Sequence, residues 1–280
     1  MATSQTPQLG CPGLKFELDG HIAIITIDRP ELGNSLGGEM SPAIRQIWAE
    51  VRDNHAIRAA VITGSGERHF STGAEVGRLS TDNADDGNSG MVNRPIDQVV
   101  FWSSHQNKVW KPVVAAVNGL VNGAGLHCVV DADVIVASEN AAFMDTHVNV
   151  GQVGAIENIG LTRRLPLGSA LRMTLQGRSY RMPAARAYQL GLVDELVATP
   201  AEVLPKALEI ARAMAENSPN AVALSKEALW KSLDAGYTQS LEYGWSLLRL
   251  HWGHPDFEEG PKAFGEKRAP NWNPSPNARR

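Results

Sequence analysis

The chain is predicted to be an α/β protein: a mostly parallel, layered sheet built from repeated strand and helix units, followed by a helical C-terminal region. Three observations lead there. Short β-branched runs bounded by turn residues recur at 21–28, 59–64, 112–119 and 132–138, the mark of buried strands. The stretches between them place apolar residues at helical spacing, as strand–crossover–strand units require. From about Pro183 onward the pattern becomes amphipathic helix.

In order along the chain, MATSQTPQLGCPG (1–13) has no charged segment followed by an apolar run, so it is a flexible lead-in and not a signal peptide. HIAIITID and AAVITG flank the amphipathic MSPAIRQIWAEVRDN, giving strand, helix, strand. In GSGERHFSTGAEVGRL (64–79) a strand ends and Gly73-Ala74 precede a helix start. STDNADDGNSGMVNRP (80–95) is rich in Asp, Asn, Gly and Ser, a mobile surface loop that can act as a lid beside a candidate site. A helical stretch near IDQVVFWSSHQNKVW leads to the strand PVVAAVNG, then a glycine-rich turn, a helix carrying His127, and the strand ADVIVAS. AARAYQLG, EVLPKALEIARAMAEN, NAVALSKEALWKSL and SLEYGWSLLRLHW supply the C-terminal helices, and PNWNPSPNARR closes the chain as a flexible tail. The expected organisation is a lead-in at 1–13, an α/β core at 14–182, a helical region at 183–270 and a tail at 271–280. There is no internal sequence repeat.

Composition narrows the partners. With 280 residues, 43% hydrophobic and 20% charged, the chain can bury a large core. A net charge of −4 from 26 basic and 30 acidic residues gives no reason to expect nucleic acid or an anionic membrane. The two cysteines, Cys11 and Cys128, make no disulfide framework and point to a reducing compartment, so a cytoplasmic location is expected. VVAAVNGLVNGAGLHCVV is too interrupted, at Asn118, Gly119, Asn122, Gly123 and His127, to span a bilayer.

The chemistry concentrates at two glycine-bearing turns. Gly73-Ala74 and Gly123-Ala124-Gly125 each follow a strand. Small residues let a ligand reach the main chain, and free N–H groups at a helix start attract a carbonyl oxygen that is gaining charge. Two such donors converging on one oxygen form an oxyanion hole.

The segments ITIDRPELGNSL, AVITGSGERHFSTGAEV, KPVVAAVNGLVNGAGLHCVVDADVIVASENAAF and HPDFEEGPKAFGEKRAPNW, in this order, resemble the crotonase family of enoyl-CoA hydratases and isomerases. The resemblance covers residues 14–272. It implies a stack of ββα units followed by a helical region that mediates trimerisation, often as a dimer of trimers. It implies an acyl-CoA thioester as ligand, with coenzyme A entering as part of the substrate and no tightly bound cofactor. The carbonyl would be held by the N–H groups of Ala74 and Ala124, beside Gly73 and Gly123, with alanine at 124 where the family usually has glycine. Lys267 matches a position that helps bind the nucleotide end of coenzyme A, often across a subunit boundary.

A polarised thioester stabilises an enolate, which serves hydration, isomerisation and carbon–carbon cleavage alike. The acid–base residues therefore decide. Where hydratases of the family carry two glutamates, this chain carries His127 in GAGLHC and His147 in AAFMDTHVNVG. Imidazole titrates near neutrality and can give or take a proton. Two imidazolium ions repel each other, so at most one is charged at neutral pH. An acid would orient the base, either Asp145, which shares a face with His147 only in an extended stretch, or Glu157. A metal held by the two histidines would need a third ligand that the spacing does not supply. Asp133 and Cys128 are read as structural, and Trp102, Trp110, Trp245 and Trp252 as core on helical faces, with Trp102 a possible wall of an acyl pocket. Three functions follow: an enoyl-CoA hydratase or isomerase with histidine acid–base groups, a hydrolase cleaving a cyclic β-diketone or ring ketone by retro-Claisen chemistry, or a non-catalytic acyl-CoA binder.

Overall fold

A computed structural model describes residues 9–75 and 95–278. The β-branched runs become strands: β1 (Gly10–Cys11), β2 (Leu14–Asp19), β3 (Ile22–Ile27), β4 (Ala59–Gly64), β5 (His69–Ser71), β6 (Val113–Val117), β7 (Leu120–Asn122), β8 (Val134–Ser138), β9 (Ala142–Met144), β10 (Met182–Pro183) and β11 (Glu195–Val197). The helices are α1 (Met40–Asp53), α2 (Ile96–Val99), α3 (Leu126–Val130), α4 (Ile156–Leu161), α5 (Leu167–Gln176), α6 (Ala184–Leu190), α7 (Pro200–Ala215), α8 (Pro219–Lys231), α9 (Tyr237–Trp252) and α10 (Asp256–Glu266).

The larger sheet has the order β1-β2-β3-β4-β6-β8-β11. It is parallel from β3 to β11, and β1 and β2 join it antiparallel. Every residue of β4 and β6 is buried, as expected of parallel strands covered on both faces. Successive side chains point to opposite faces. Ala60, Ile62, Ala115 and Ile135 therefore enter the main core with α1, while Ala59, Val61, Val114, Ala116 and Val136 pack on Val203, Ala207, Ala211 and Ala215 of α7. Alanines at four-residue spacing on α7 let its backbone lie close on the sheet. On α1 the buried residues Met40, Ala43, Ile44, Ile47, Trp48 and Val51 form a single stripe.

The smaller sheet positions the site. Its order is β10-β9-β7-β5, and β5, β7 and β9 are parallel neighbours. Each successive unit places one strand in each sheet: β4 then β5, β6 then β7, β8 then β9. The C-terminal ends of β5, β7 and β9 thus lie side by side, and the segments that leave them carry residues 72–74, 123–125 and 145–147.

Four expectations are corrected. The helical stretch at 96–110 ends at Val99, because Val100 is extended and Asn107 donates through Nδ2 to the carbonyls of Phe101 and Ser103, which a helix would have used. The region from Pro183 is not purely helical, since β11 pairs with β8. Trp245 and Trp252 are not core: they are 52% and 39% exposed on α9. The closing segment is not free, for Trp272 donates to the Glu216 carbonyl, Asn273 to Asp256, and Asn220 to the Pro276 carbonyl. The loop expected at 80–95 and the helix start after Ala74 fall, except for Glu75 and Pro95, outside the described residues. Among those described, no helix is long and apolar enough to cross a membrane.

Candidate active site

Turn geometry brings the two glycine-bearing turns together. Leu36 donates to the Gly73 carbonyl and Glu75 to the Leu36 carbonyl, so the bridge between residues 36 and 74 uses the amides that flank Ala74 and leaves its own N–H out. Ala124 is the second residue of a one-turn 3-10 helix, Gly123–Gly125, whose first amides have no acceptor within the turn. Gly73 has φ +90°, and a Cβ there would lie 2.8 Å from the Asn122 carbonyl oxygen and 3.2 Å from the Ala124 nitrogen. Only glycine lets the first turn lie this closely on the second. Asn122 ties three segments: its Nδ2 donates to the Thr72 carbonyl at 3.0 Å and to Thr146 Oγ1 at 2.9 Å. Arg29 holds Glu75, next to Ala74, at 2.6 Å.

The third segment brings in the proton-transfer groups. His147 opens a 3-10 turn, His147–Val150, after β9. Its ring edge faces the second turn, with Cε1 3.5 Å from where a Cβ on Gly123 would sit. Nδ1 lies 2.5 Å from Asp145 Oδ1. The pair meets although the stretch is not extended, because Asp145 folds back to accept from the His147 backbone N–H at 3.3 Å. Asn158 Nδ2 donates to Asp145 Oδ2 at 2.7 Å, and Gly154 leaves room for that oxygen, where any Cβ would collide. Asp145 is fully buried.

Glu157, on the first turn of α4, stands between the two histidines. Its Oε1 is 3.1 Å from His147 Nδ1 and its Oε2 3.5 Å from His127 Nε2. On the other side of His127, Gln106 Nε2 lies 3.0 Å from Nδ1. An amide NH2 donates, so Nδ1 accepts and the ring hydrogen sits on Nε2, facing Glu157. All four expected acid–base residues are thus in one cluster.

Their environments set different charge states. The hydrogen bond to Asp145 raises the His147 pKa above the ordinary histidine value, against burial and with help from Glu157. Burial pushes Asp145 up, but its bonds to His147 and Asn158 outweigh this and leave it below the ordinary carboxylate value. Burial raises Glu157. Burial, and then the neighbouring His147, lower His127 to about 4, so it is neutral at physiological pH. Buried Cys128 is pushed up to about 12, unsuited to nucleophilic work. Asp133 accepts from Val113 N and Trp230 Nε1 and pairs with Lys226 at 2.8 Å, a structural assignment.

Asp145, His147 and Glu157 offer ligand atoms within 4.8 Å of one another, a third ligand beyond what sequence spacing supplied. The 2.5 Å contact between Nδ1 and Oδ1 is that of a short hydrogen bond. A metal bound to both atoms at roughly 2 Å each would hold them about 3 Å or more apart.

The sequence profile described as enoyl-CoA hydratase/isomerase matches residues 17–275. The chain belongs to the enoyl-CoA hydratase/isomerase family. It is 35% identical over 268 residues to (E)-benzylidenesuccinyl-CoA hydratase of Thauera aromatica, covering 91% of this chain and 96% of that protein. It is 32% identical over 266 residues to carnitinyl-CoA dehydratase of Salmonella typhi, covering 92% and 97%. Among solved structures it is similar to an enoyl-CoA hydratase/isomerase from Mycobacterium paratuberculosis, with TM-score 0.83, 36% identity and coverage of 94% and 99%. An enoyl-CoA hydratase from Bacillus anthracis gives TM-score 0.82 at 26% identity, covering 94% and 100%. As a member of this family the protein acts on acyl-CoA thioesters, with a mixed α/β fold of the crotonase type.

Lys267 lies at the C-terminal end of α10 in a left-handed conformation, φ 54°. Among the described residues, no hydrogen bond or ion pair within the chain joins it to the cluster. Sequence reasoning missed Gln106, Asn122 and Asn158. Asn122 had a local signal, a polar side chain before a glycine turn. Gln106 and Asn158 had none, because their partners lie 21 and 13 residues away.

Proposed function

We propose that this protein adds water to, or eliminates it across, the double bond of a 2-enoyl-CoA thioester. The N–H groups of Ala74 and Ala124 receive the thioester oxygen, which carries the charge of an enolate as the β-carbon is attacked or released. The observation that carries this reading is the hydrogen-bonded pair of His147 and Asp145 set against the Gly123 turn. Nδ1 is committed to Asp145, so Nε2 is the nitrogen left to exchange a proton with the substrate. Asp145 thereby takes the orienting role, and His127, held neutral by burial, supports rather than shares the acid role at neutral pH. The hydratase and dehydratase named among the relatives support water addition and removal over double-bond migration.

The same pair suits a base that activates water for retro-Claisen cleavage of a ring ketone, so that reading is retained for testing. An inert acyl-CoA binder has no need of four buried or half-buried proton-transfer groups converging beside two free amides. Assembly into a trimer or a dimer of trimers is supported by the apolar face of α9, where Leu241, Trp245 and Leu248 are each about half exposed. Lys267 then contacts the nucleotide end of coenzyme A across a subunit boundary.

The test is incubation with 2-enoyl-CoA and cyclic β-ketoacyl-CoA thioesters in isotopically labelled water, read by mass spectrometry. A labelled β-hydroxyacyl-CoA is the expected product. A labelled ring-opened carboxylate would make the protein a carbon–carbon hydrolase, a shifted double bond an isomerase, and binding without turnover a binder.

A further inference from the structure

We infer that Glu157 is itself a catalytic base, the group that takes the proton from the water added at the β-carbon, and that Asp145 alone orients His147. The inference rests on the hydratase reading above.

Asp145 is already a complete orienting group. One oxygen meets His147 Nδ1 and the His147 backbone N–H, and the other accepts from Asn158. Glu157 is built in just as firmly, 5% exposed, yet its oxygens are not used up. Oε1 is buried and has no hydrogen-bond donor. Its nearest candidate is His147 Nδ1 at 3.1 Å, but that nitrogen carries a single hydrogen, which is given to Asp145 at 2.5 Å. Oε2 faces the Nε2–H of His127 at 3.5 Å, and Gln106 fixes that tautomer from behind. A buried acceptor left without a donor costs about 1–3 kcal/mol and calls for an explanation. Asn158 Oδ1, in the same cluster, is also buried without a partner, but of the two only the Glu157 carboxylate can accept a proton. A reacting water that donates to Oε1, which is closed to solvent in the free protein, supplies the missing partner.

The step balances. The oxygen of water bonds to the β-carbon as one of its O–H bonds breaks, and that proton passes to Glu157 Oε1. The π electrons shift to give an enolate, whose oxygen is held by the Ala74 and Ala124 amides. The enolate then takes a proton at the α-carbon from His147 Nε2. One water has been added, Glu157 is one proton richer and His147 one poorer, and solvent returns that proton as product leaves. Burial of Glu157 raises its affinity for the proton, as a base of this kind needs. His127 and Gln106 are positioning residues for Glu157.

Two reactions separate the roles. Hydration of a 2-enoyl-CoA needs both the water base and His147. Exchange of the α-hydrogen of a saturated acyl-CoA in D2O needs only His147 and the oxyanion turns. In Glu157→Gln, hydration is expected to fall by about 10²-fold or more while α-exchange stays within about threefold of wild type. Retained exchange also shows that the variant is folded. Glu157→Asp, which keeps the carboxylate, is expected to recover part of the hydration. A parallel loss of both reactions in Glu157→Gln, or hydration that survives it, overturns the assignment. If the wild-type protein exchanges the α-hydrogen but adds no water, or does neither, the hydratase reading itself fails and the role of Glu157 falls with it.

Discussion

Asp145→Asn probes the orienting carboxylate. The side chain is fully buried and accepts three hydrogen bonds, from His147 Nδ1 at 2.5 Å, the His147 N–H at 3.3 Å and Asn158 Nδ2 at 2.7 Å. Asparagine has the same shape but one accepting oxygen. Whichever way its amide turns, an NH2 faces either His147 or Asn158, and the partner must change tautomer or turn its own amide to accept. The loss of one charge-assisted bond and that rearrangement together cost about 2–5 kcal/mol of stability. Turnover is expected to fall about 10²- to 10⁴-fold, because the imidazole is no longer held in one tautomer. The pH dependence is more diagnostic. The groups facing His147 are Asp145, Glu157 and His127. In the native protein the bond to Asp145 raises His147 above its ordinary value of 6.5. The protonated form thus contributes stability that is fully present below that value and is lost as pH rises through the raised pKa. Turnover that uses His147 as acid falls along the same limb. In Asp145→Asn the largest upward cause is gone and burial pulls the imidazole down, so the limb moves to lower pH. The assay is a kcat–pH profile of hydration, with the His147 ring titrated by NMR. A limb that stays in place while turnover falls refutes the tuning role, and turnover that survives within about tenfold refutes the orienting role.

Gly73→Ala forces a Cβ onto a residue at φ +90° and to 2.8 Å from the Asn122 carbonyl; kcat/KM is expected to fall by about 10²-fold as the two oxyanion donors part, and unchanged kinetics would move the oxyanion hole elsewhere. Lys226→Met strips the buried ammonium from Asp133, leaving a partly buried carboxylate with the Val113 amide and Trp230 Nε1 as its hydrogen-bond donors. Urea unfolding is expected to show a loss of about 3–5 kcal/mol, and a loss near zero would mean the pair is dispensable. In the double variant Leu241→Asp/Leu248→Asp, two charges stand on the apolar face of α9. Light scattering is expected to show a wild-type mass of several chains and a variant mass of one, and a monomeric wild type would sink the interface.

The fold was legible where a strand or helix is long and its pattern dense. β4 and β6 are β-branched runs buried throughout, and α1 carries one continuous apolar stripe. β11 and β10 were not legible, being three and two residues long, too short to show a period; sheet neighbours hold them in place. The stretch from Phe101 to Trp110 has the composition of a helix but breaks because Asn107 satisfies carbonyls locally. At the site, the two turns and the two histidines could be located by position in the chain. That Asp145 and Glu157 both reach His147 could not, since one depends on the 3-10 turn after β9 and the other on where α4 begins. Gln106, which sets the His127 tautomer, lies in the stretch whose backbone was misjudged.

The two imidazoles of the site do not stand without carboxylates. Asp145 and Glu157 stand behind the imidazoles, at 2.5 and 3.1 Å from the same nitrogen of His147. This arrangement changes which charges must be buried. A glutamate that is to act as an acid near neutrality must be kept protonated by desolvation or by nearby negative charge, at the expense of stability. An imidazolium backed by an aspartate is a pair of no net charge, so its proton can be held ready in a half-buried site without isolating an ion. A second imidazolium at His127 would face the first, and burial together with the neighbouring His147 keeps it uncharged. Two buried oxygens of the cluster, Glu157 Oε1 and Asn158 Oδ1, have no hydrogen-bond partner among the described residues, and of the two only the Glu157 carboxylate can take up a proton from substrate or water.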